Sequence, residues 1–561
     1  MALCVVGLLA LHAGLALWGA ARNSVTFDEN YHLPAGVAAI TRGNLWVSAL
    51  NPPLVKMLCA LPAVAAGASL PDSLPRSFRL QDAVGEAFMR VNAARYHHVF
   101  LAARGLVVVF SVALGWLVWT WARRLYGGRG GLLALAFYTL APEALAHGGL
   151  VTMDVATSLG FAGSVYALWC FARSGRWGWW IWTAFAVGAT ALTRFTAVLL
   201  IPTLALVALL MVLARPGVRR PRRLGLGLVL LLPTTVLVLN VGYLGQTSFA
   251  PLGRMTLHSQ VFQSVQHLWP GLRTPLPDAY LAGLDWLMFE SRQNMPFYLL
   301  GRIHHEPLWY YFPLALLFKW PLGFLLAIPA RLVSGLGIGG RSGRLRDDVV
   351  VVLPALLFLA AAMFGANLNA GVRYLFPVLP LTCVWLGRLG GGGPSPRVRP
   401  PGLRRGITVI GVVLAMAQAA ETARAAPWYL SFFNLASGGP GGGYRLLNDS
   451  NVDWGQGLIA LQEELRRRGI GRIHLAYHGT TDPAVYGIDY VPYFGGRLGP
   501  ESEWLAVSSY YYVGLRQRMM TQAGLSSEVA FDFAKLQRYP AAEPAGCMFL
   551  FRLTVGRARP E

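Results

Sequence analysis

Long apolar runs separated by short polar breaks fill the first three quarters of the chain. Eleven runs approach the roughly 20 apolar residues that cross a bilayer as a helix. They lie at about 2–21, 99–121, 130–147, 153–172, 177–193, 195–214, 224–244, 308–330, 348–366, 373–388 and 406–425. This pattern predicts a polytopic all-α membrane protein with about 11 transmembrane helices. After residue 426 the apolar runs stop. There "QGLIALQEELRRR" (456–468) has the period of an amphipathic helix and "RIHLAYHG" (472–479) that of a strand, after a Gly/Pro-rich connector, "SGGPGGG" (437–443). A membrane domain over 1–426 and a small α/β domain over 427–561 follow from that contrast.

Two long loops interrupt the spans, at 22–98 and 245–307. The first holds an apolar stretch, Leu54 to Leu70, cut by Pro62 and carrying Lys56. It reads as a helix lying in the interface. The alternative, a full span, would invert the charge pattern downstream. The segment "GGGGPSPRVRPPG" (390–402) reads as a flexible linker.

The polar breaks alternate in character. Arg123 and Arg124, Arg173 and Arg176, Arg215 to Arg223, Arg331 to Arg346, and Arg388 to Arg405 fall in every second loop, which the positive-inside rule makes cytoplasmic. Asp28, Glu29, Asp154, Arg194, the 245–307 loop, Arg373 and everything after about 426 fall in the other set. The chemically interesting residues therefore gather on the extracytoplasmic face of a multi-pass protein of the inner (plasma) membrane. No nucleotide is available there. The first 22 residues lack a basic start and read as an uncleaved first helix, although Gly19-Ala20-Ala21 precedes Arg22.

Composition supports the same class. The chain is 55% hydrophobic and 13% charged, about half the charged share of a soluble protein. Its net charge of +22 is nearly all arginine, clustered between spans, with no basic face or nucleic-acid motif, so no nucleic-acid partner is expected. Cys4, Cys59, Cys170, Cys383 and Cys547 form no CxxC, so neither a disulfide framework nor a zinc site is indicated. No ligand spacing suggests a metal, and no cofactor is expected.

Candidate chemistry begins just after the first span, at "TFDENYH" (26–32). Two readings compete. Asp28 and Glu29 are a helix cap with an acidic first turn, or Asp28 is a general base partly desolvated at a membrane surface. Next comes "NPPLVK" (51–56), whose Lys56 is one of only three lysines, with Lys319 and Lys535. A lone ammonium beside an interfacial helix either holds a lipid phosphate or snorkels to the interface.

In order along the chain, "FDENYH" and "NPPLVK" resemble the first extracytoplasmic loop of the family 39 glycosyltransferases. These are the dolichyl-phosphate-mannose protein mannosyltransferases and their bacterial relatives, including lipid A aminoarabinose transferases. Asn51 stands where that family has a histidine. "EALAHGGLVTMDVAT" (143–157) resembles the family's second acidic site and places Asp154 in it. "ALTRFTAVLLIP" (191–202) resembles a Thr-Lys-Phe segment, with Arg194 for the lysine. "NAGVRYLFPVLP" (369–380) resembles the Arg-Tyr helix start, giving Arg373 and Tyr374, and "DSNVDWGQGL" (449–458) a stretch after the last helix.

The resemblance implies a GT-C fold and a polyprenyl-phosphate sugar as donor, with membrane lipids around it and an acceptor protein, lipid or glycan. It implies inverting transfer with Asp28 as the base. Lys56, Arg194 and Arg373 would hold the leaving phosphate, with Glu29 and Asp154 orienting acceptor or sugar. His305, beside His304 in "LLGRIHHEPLWYYFP" (299–313), is a further phosphate candidate or part of an aromatic belt with Trp309, Tyr310 and Tyr311. Tyr31, His32, Tyr374 and Asp453 are candidate acceptor or sugar contacts, Asp449 and Trp454 weaker ones. Two rivals share the same face: a transporter or flippase for polyprenyl-linked sugars, and a ligase that moves whole glycans. A transporter should carry paired repeats with discontinuous helices, and the sequence shows none. Sugar and acceptor are left open.

Overall fold

The computed structural model describes the chain apart from residues 75–80, 214–217, 335–343, 366, 368, 392–400, 495–500, 523–532, 534, 535, 537–540, 543 and 554–561. Most of the 390–402 linker thus lies outside the described residues. A mostly helical body carries a small α/β region after the last long helix.

Every one of the eleven apolar runs contains a helix, but they are not eleven continuous spans. Among the described residues, seven helices are long and apolar enough to cross a membrane, or eight if one bent pair is a single span. They are Ala2–Arg22, Gln81–Thr139, Asp154–Ser174, Phe195–Leu213, Pro221–Gly242, Asp347–Phe364 and Gly402–Ala425, of which Gln81–Thr139 holds the run at 99–121 and most of that at 130–147, joined at a reversal. The run at 177–193 gives only Trp177–Ala191, and that at 373–388 gives Val378–Gly390. The run at 308–330 becomes Tyr311–Lys319 and Leu322–Val333, bent by 111°. Pro321 explains the break: it cannot donate an N–H and pushes Trp320 into extended backbone (ψ 137°). The freed N–H of Leu322 is taken by the Glu421 carboxylate at 2.6 Å.

The helix Tyr96–Thr139 breaks at Gly127, whose φ of 81° is open to glycine. The chain doubles back there, because the Tyr138 hydroxyl lies 2.9 Å from that of Ser111. The returning arm packs closely on the helix that begins at Val378. A Cβ on Gly130 would lie 2.8 Å from the Gly387 carbonyl, and one on Gly387 equally close to that of Gly130. Small residues let membrane helices approach to backbone contact.

The two loop sets separate in space. At one end of the bundle Asp348 accepts from Tyr126, Arg331 and Arg388, and Asp347 from Arg173 and the Trp169 indole. At the other end Arg104 meets Glu29. Arg104 and Tyr126 are 22 residues apart on one helical arm, about 33 Å along a helix axis.

Strands β1 (Phe297–Leu299) and β2 (Arg302–His304) form a hairpin within the second long loop. The α/β region holds β3 (Arg472–Ala476), β4 (Asp489–Pro492), β5 (Trp504–Ser508) and β6 (Met548–Arg552) in the order β4-β3-β5-β6. β3 runs parallel to both β4 and β5, and β6 antiparallel to β5. The expected amphipathic helix is present as Leu458–Arg468, burying Leu458, Leu461 and Leu465.

Candidate active site

The "TFDENYH" stretch starts a helix, Glu29–Arg42, with Asp28 at its N-cap position. The Asp28 side chain makes no capping bond. Instead it accepts from Arg373 Nη1 at 2.8 Å, and it keeps 26% of its side-chain surface exposed. The simple cap reading of Asp28 therefore fails, since the carboxylate is directed at a cation 345 residues away.

Glu29 takes the local work. Its Oε2 accepts from the N–H and hydroxyl of Thr26, at 2.9 Å each, and Oε1 from the Val151 N–H at 2.8 Å. Arg104 forks onto both oxygens at 2.8 and 2.6 Å, and neither side chain is exposed. The remaining donors of Arg104 go to the carbonyls of Ala20, Asn23 and Ser24. All five guanidinium hydrogens are thus used. Burial alone would raise the Glu29 pKa; Arg104 and the Thr26 and Val151 donors outweigh it, and the net shift is downward. Glu29 was expected to orient acceptor or sugar directly. In this geometry both its oxygens are committed to the protein, and it fixes the turn that presents Asp28.

Arg373 is the hub. It follows Gly371 in a short helical turn, Val372–Leu375. Its Nη2 donates to the Tyr374 hydroxyl at 3.2 Å, and its guanidinium stacks 4.0 Å from the Trp454 ring. Arg194, at the break between Trp177–Ala191 and Phe195–Leu199, pairs with Asp154 at the start of Asp154–Ser174. Arg194 also lies 4.8 Å from the Tyr374 ring, so this one tyrosine lies beside both guanidinia. Asp28, Arg373, Tyr374, Arg194 and Asp154 therefore form one chain of contacts across four segments, and Asp28 is its most exposed charged member.

Lys56 belongs to the same end of the molecule but is buried. It donates to the carbonyls of Ser48 and Asn51 at 2.6 Å each, strapping the Asn44–Pro53 loop to its own helix, Leu54–Ala65. Burial lowers its pKa to about 7. Helices Glu29–Arg42 and Leu54–Ala65 touch backbone to backbone, because a Cβ on Gly36 would collide with the Lys56 carbonyl. Leu54 N–H also donates to the Leu192 carbonyl at 3.1 Å, tying "NPPLVK" to the Arg194 segment.

The other expected contacts spread out. His32 is buried 3.4 Å from the Val151 carbonyl, and burial lowers its pKa to about 4, so it is neutral at neutral pH. Tyr31 meets the Phe27 ring edge-on, and burial, with Asp82 beside its hydroxyl, pushes its pKa up. His305 accepts from Arg518 Nε at 2.9 Å, which links the β1–β2 hairpin to the α/β region and not to Arg373 or Arg194. Asp453 is buried, accepts from the Gly455 N–H at 3.1 Å, and is raised to about 7 by burial. Asp449 has a left-handed backbone (φ 61°), unusual away from glycine, and its carboxyl is raised to about 6 by burial.

The sequence reading missed Arg104, Lys319 and the supporting role of 449–458. Arg104 sits eight residues into an apolar helix, where a loop-based charge rule gives no reason for it. That position was a readable signal. Lys319 donates to the carbonyls of Leu430 and Asn451 at 2.8 and 2.7 Å, pinning the chain after the last long helix against the bundle.

Comparison with known proteins gives the following. The family described as dolichyl-phosphate-mannose-protein mannosyltransferase matches residues 84–239, a stretch with Asp154 and Arg194 but without Asp28, Lys56 or Arg373. No curated protein matches the sequence. Among solved structures, ArnT from Cupriavidus metallidurans bound to undecaprenyl phosphate is 16% identical, over 86% of this chain and 74% of that one, with a TM-score of 0.46. The S. cerevisiae protein O-mannosyltransferase Pmt1-Pmt2 complex bound to the sugar donor is 16% identical over 44% of this chain and 34% of that one (TM-score 0.34). The Archaeoglobus fulgidus oligosaccharyltransferase AglB, in complex with an inhibitory peptide and a dolichol-phosphate, is 10% identical over 98% and 74% (TM-score 0.47).

Proposed function

We propose that this protein is a bacterial membrane glycosyltransferase of the GT-C type. It takes a sugar from a polyprenyl-phosphate donor and transfers it, with inversion, to an acceptor on the extracytoplasmic side of the plasma membrane. The observation that carries the reading is the Asp28–Arg373–Tyr374–Arg194–Asp154 chain, a part-exposed carboxylate paired with one guanidinium and a second guanidinium across the shared Tyr374 ring. The match of residues 84–239 to the mannosyltransferase family supports it.

The chemistry balances with these groups alone. Asp28 accepts the proton of an acceptor hydroxyl, whose oxygen attacks the anomeric carbon. The bond from that carbon to the phosphate oxygen breaks, and polyprenyl phosphate leaves with the electron pair. Cations preorganised around that phosphate stabilise it without protonation. Arg194 and Arg373 supply them, and Arg is suited to bidentate phosphate contact. Asp154 holds Arg194 in place. In the resting site Arg373 is paired with Asp28. An arriving phosphate competes for Arg373, and that exchange frees Asp28 for the acceptor proton. Lys56 is the third cation of the clamp; it is buried with two of its three donors on carbonyls, so its contact with a donor requires the Asn44–Pro53 loop that covers it to shift.

Arg194→Ala is expected to raise the donor KM about 10- to 100-fold, as loss of a charge-assisted phosphate contact does, and to lower kcat by a smaller factor through loss of leaving-group stabilisation. Lys56→Ala is expected to raise it less. The check is steady-state kinetics with a polyprenyl-phosphate sugar against a fixed amount of acceptor. A donor KM unchanged in both variants removes the phosphate clamp. The glycan carried over is expected to have the opposite anomeric configuration from the donor, read by NMR of the product.

A further inference from the structure

The turn that presents Asp28 is held from two sides, by Glu29 and Arg104 on one and by the segment that follows the last long helix on the other. Ser24 N–H donates to the Gln456 carbonyl at 3.0 Å, and Phe27 N–H to the Trp454 carbonyl at 2.9 Å. The Ser24 hydroxyl donates to the Gly455 carbonyl at 2.8 Å and accepts from the Leu458 N–H at 3.1 Å. Beyond these, the Tyr486 hydroxyl accepts from Val25 N–H, and that of Thr480 donates to the Phe27 carbonyl. One residue of this segment touches Arg373 and the residue that precedes Asp28. The Trp454 carbonyl takes the N–H of Phe27, the residue before Asp28, and the Arg373 guanidinium lies over the Trp454 ring, 4.0 Å from guanidinium carbon to ring centroid. Trp454 itself is 2% exposed, which removes it from the pool of sugar contacts.

We infer that Trp454 is a positioning residue that holds Asp28 and Arg373 in register, its backbone fixing the carboxylate and its ring fixing the cation. The inference rests on the roles given to Asp28 and Arg373 above. The physical case is direct. Arg373 Nε is buried with no hydrogen-bond partner among the described residues, so the guanidinium is not fully held by donors and acceptors. Beyond its bonds to Asp28 and the Tyr374 hydroxyl, its plane is constrained by the Trp454 ring and the Tyr374 ring nearby. A desolvated cation–π contact of this kind is worth about 2 kcal/mol, equivalent to roughly 30-fold in an equilibrium constant. A side-chain substitution leaves the Phe27 bond to the backbone carbonyl and removes only the face, so the two functions separate.

The test is equilibrium binding of a radiolabelled polyprenyl phosphate to the purified full-length protein in detergent, beside transfer kinetics and thermal unfolding. Trp454→Leu is expected to weaken binding about 30-fold. Trp454→Phe, which keeps a ring face, is expected to stay within about threefold of wild type. In an Arg373→Gln background, Trp454→Leu is expected to add less than about twofold, because the residue it acts through is already gone. If Trp454→Leu does not give folded protein, Trp454→Met carries the same expectation with the volume better filled. Wild-type binding in Trp454→Leu or Trp454→Met, or effects that multiply in the Arg373→Gln background, overturns the inference while leaving the proposed function standing. Failure of the wild-type protein to bind polyprenyl phosphate overturns both.

Discussion

Asp28→Asn is expected to lower sugar transfer by about a thousandfold or more, while the protein folds normally and still binds donor. A positioned base contributes about 10²- to 10⁴-fold to such a step, and Asn can accept a hydrogen bond but not a proton at neutral pH. The sign of the donor effect is informative. Asp28 occupies Arg373 at 2.8 Å in the resting site. Removing its charge frees Arg373, so donor affinity should be unchanged or higher. A carboxylate whose only role was to pair Arg373 would behave differently: its loss would leave transfer intact or improve it. Parallel measurement of donor Kd and kcat in the purified variant decides between them.

Arg104→Leu is expected to cost about 3–5 kcal/mol of stability, because it strands a buried carboxylate. Both side chains of the Arg104–Glu29 pair are fully buried, and Arg104 alone holds the carbonyls of Ala20, Asn23 and Ser24 in addition. The double variant Arg104→Leu with Glu29→Gln should recover part of the loss, since no buried charge is then left unpaired. The pH sign follows from Glu29. Its folded pKa is held below the ordinary 4.5, so the pair contributes in full above that value and is lost as pH falls through the folded pKa. Thermal unfolding in detergent from pH 4 to pH 8 should show no change attributable to this pair above about pH 5. A single variant as stable as wild type would mean that Glu29 is not the anchor of the Asp28 turn.

Much of the site was readable because its residues sit where an apolar pattern breaks. Asp154 starts a span, Arg194 falls between two helices, and Arg373 precedes a third, so each shows as a charge at an apolar boundary. Their mutual contacts were not readable, because pairs such as Asp28–Arg373 lie 345 residues apart. Glu29 shows the limit of reading neighbours alike. Adjacent carboxylates on a helix start point in different directions, and only tertiary packing decides that Glu29 faces Arg104 while Asp28 faces Arg373. Trp454 showed in the sequence only as a weak sugar-contact candidate, since its bond to Phe27 comes from a backbone carbonyl, which no side-chain motif encodes.

The helices were legible in position and less so in continuity. Hydropathy marks apolar segments but not whether the axis bends. The 111° bend at Trp320-Pro321 is set by single residues inside an apolar run, whereas the reversal at Gly127 falls in the break between the runs at 99–121 and 130–147, where the sequence placed a loop. Of the strands in the α/β region only β3 was anticipated, beside the helix Leu458–Arg468. β4 is four residues long, and a strand that short leaves little periodicity to read.

The most direct test of the central claim is to follow radiolabelled polyprenyl-phosphate sugars with the purified protein reconstituted in proteoliposomes and an envelope fraction as acceptor. The expected result is Asp28-dependent cleavage of one donor, with label entering one envelope fraction and an equal amount of polyprenyl phosphate released. Donor that is bound and moved across the bilayer but never cleaved would contradict it, and would make the protein a transporter of lipid-linked sugars.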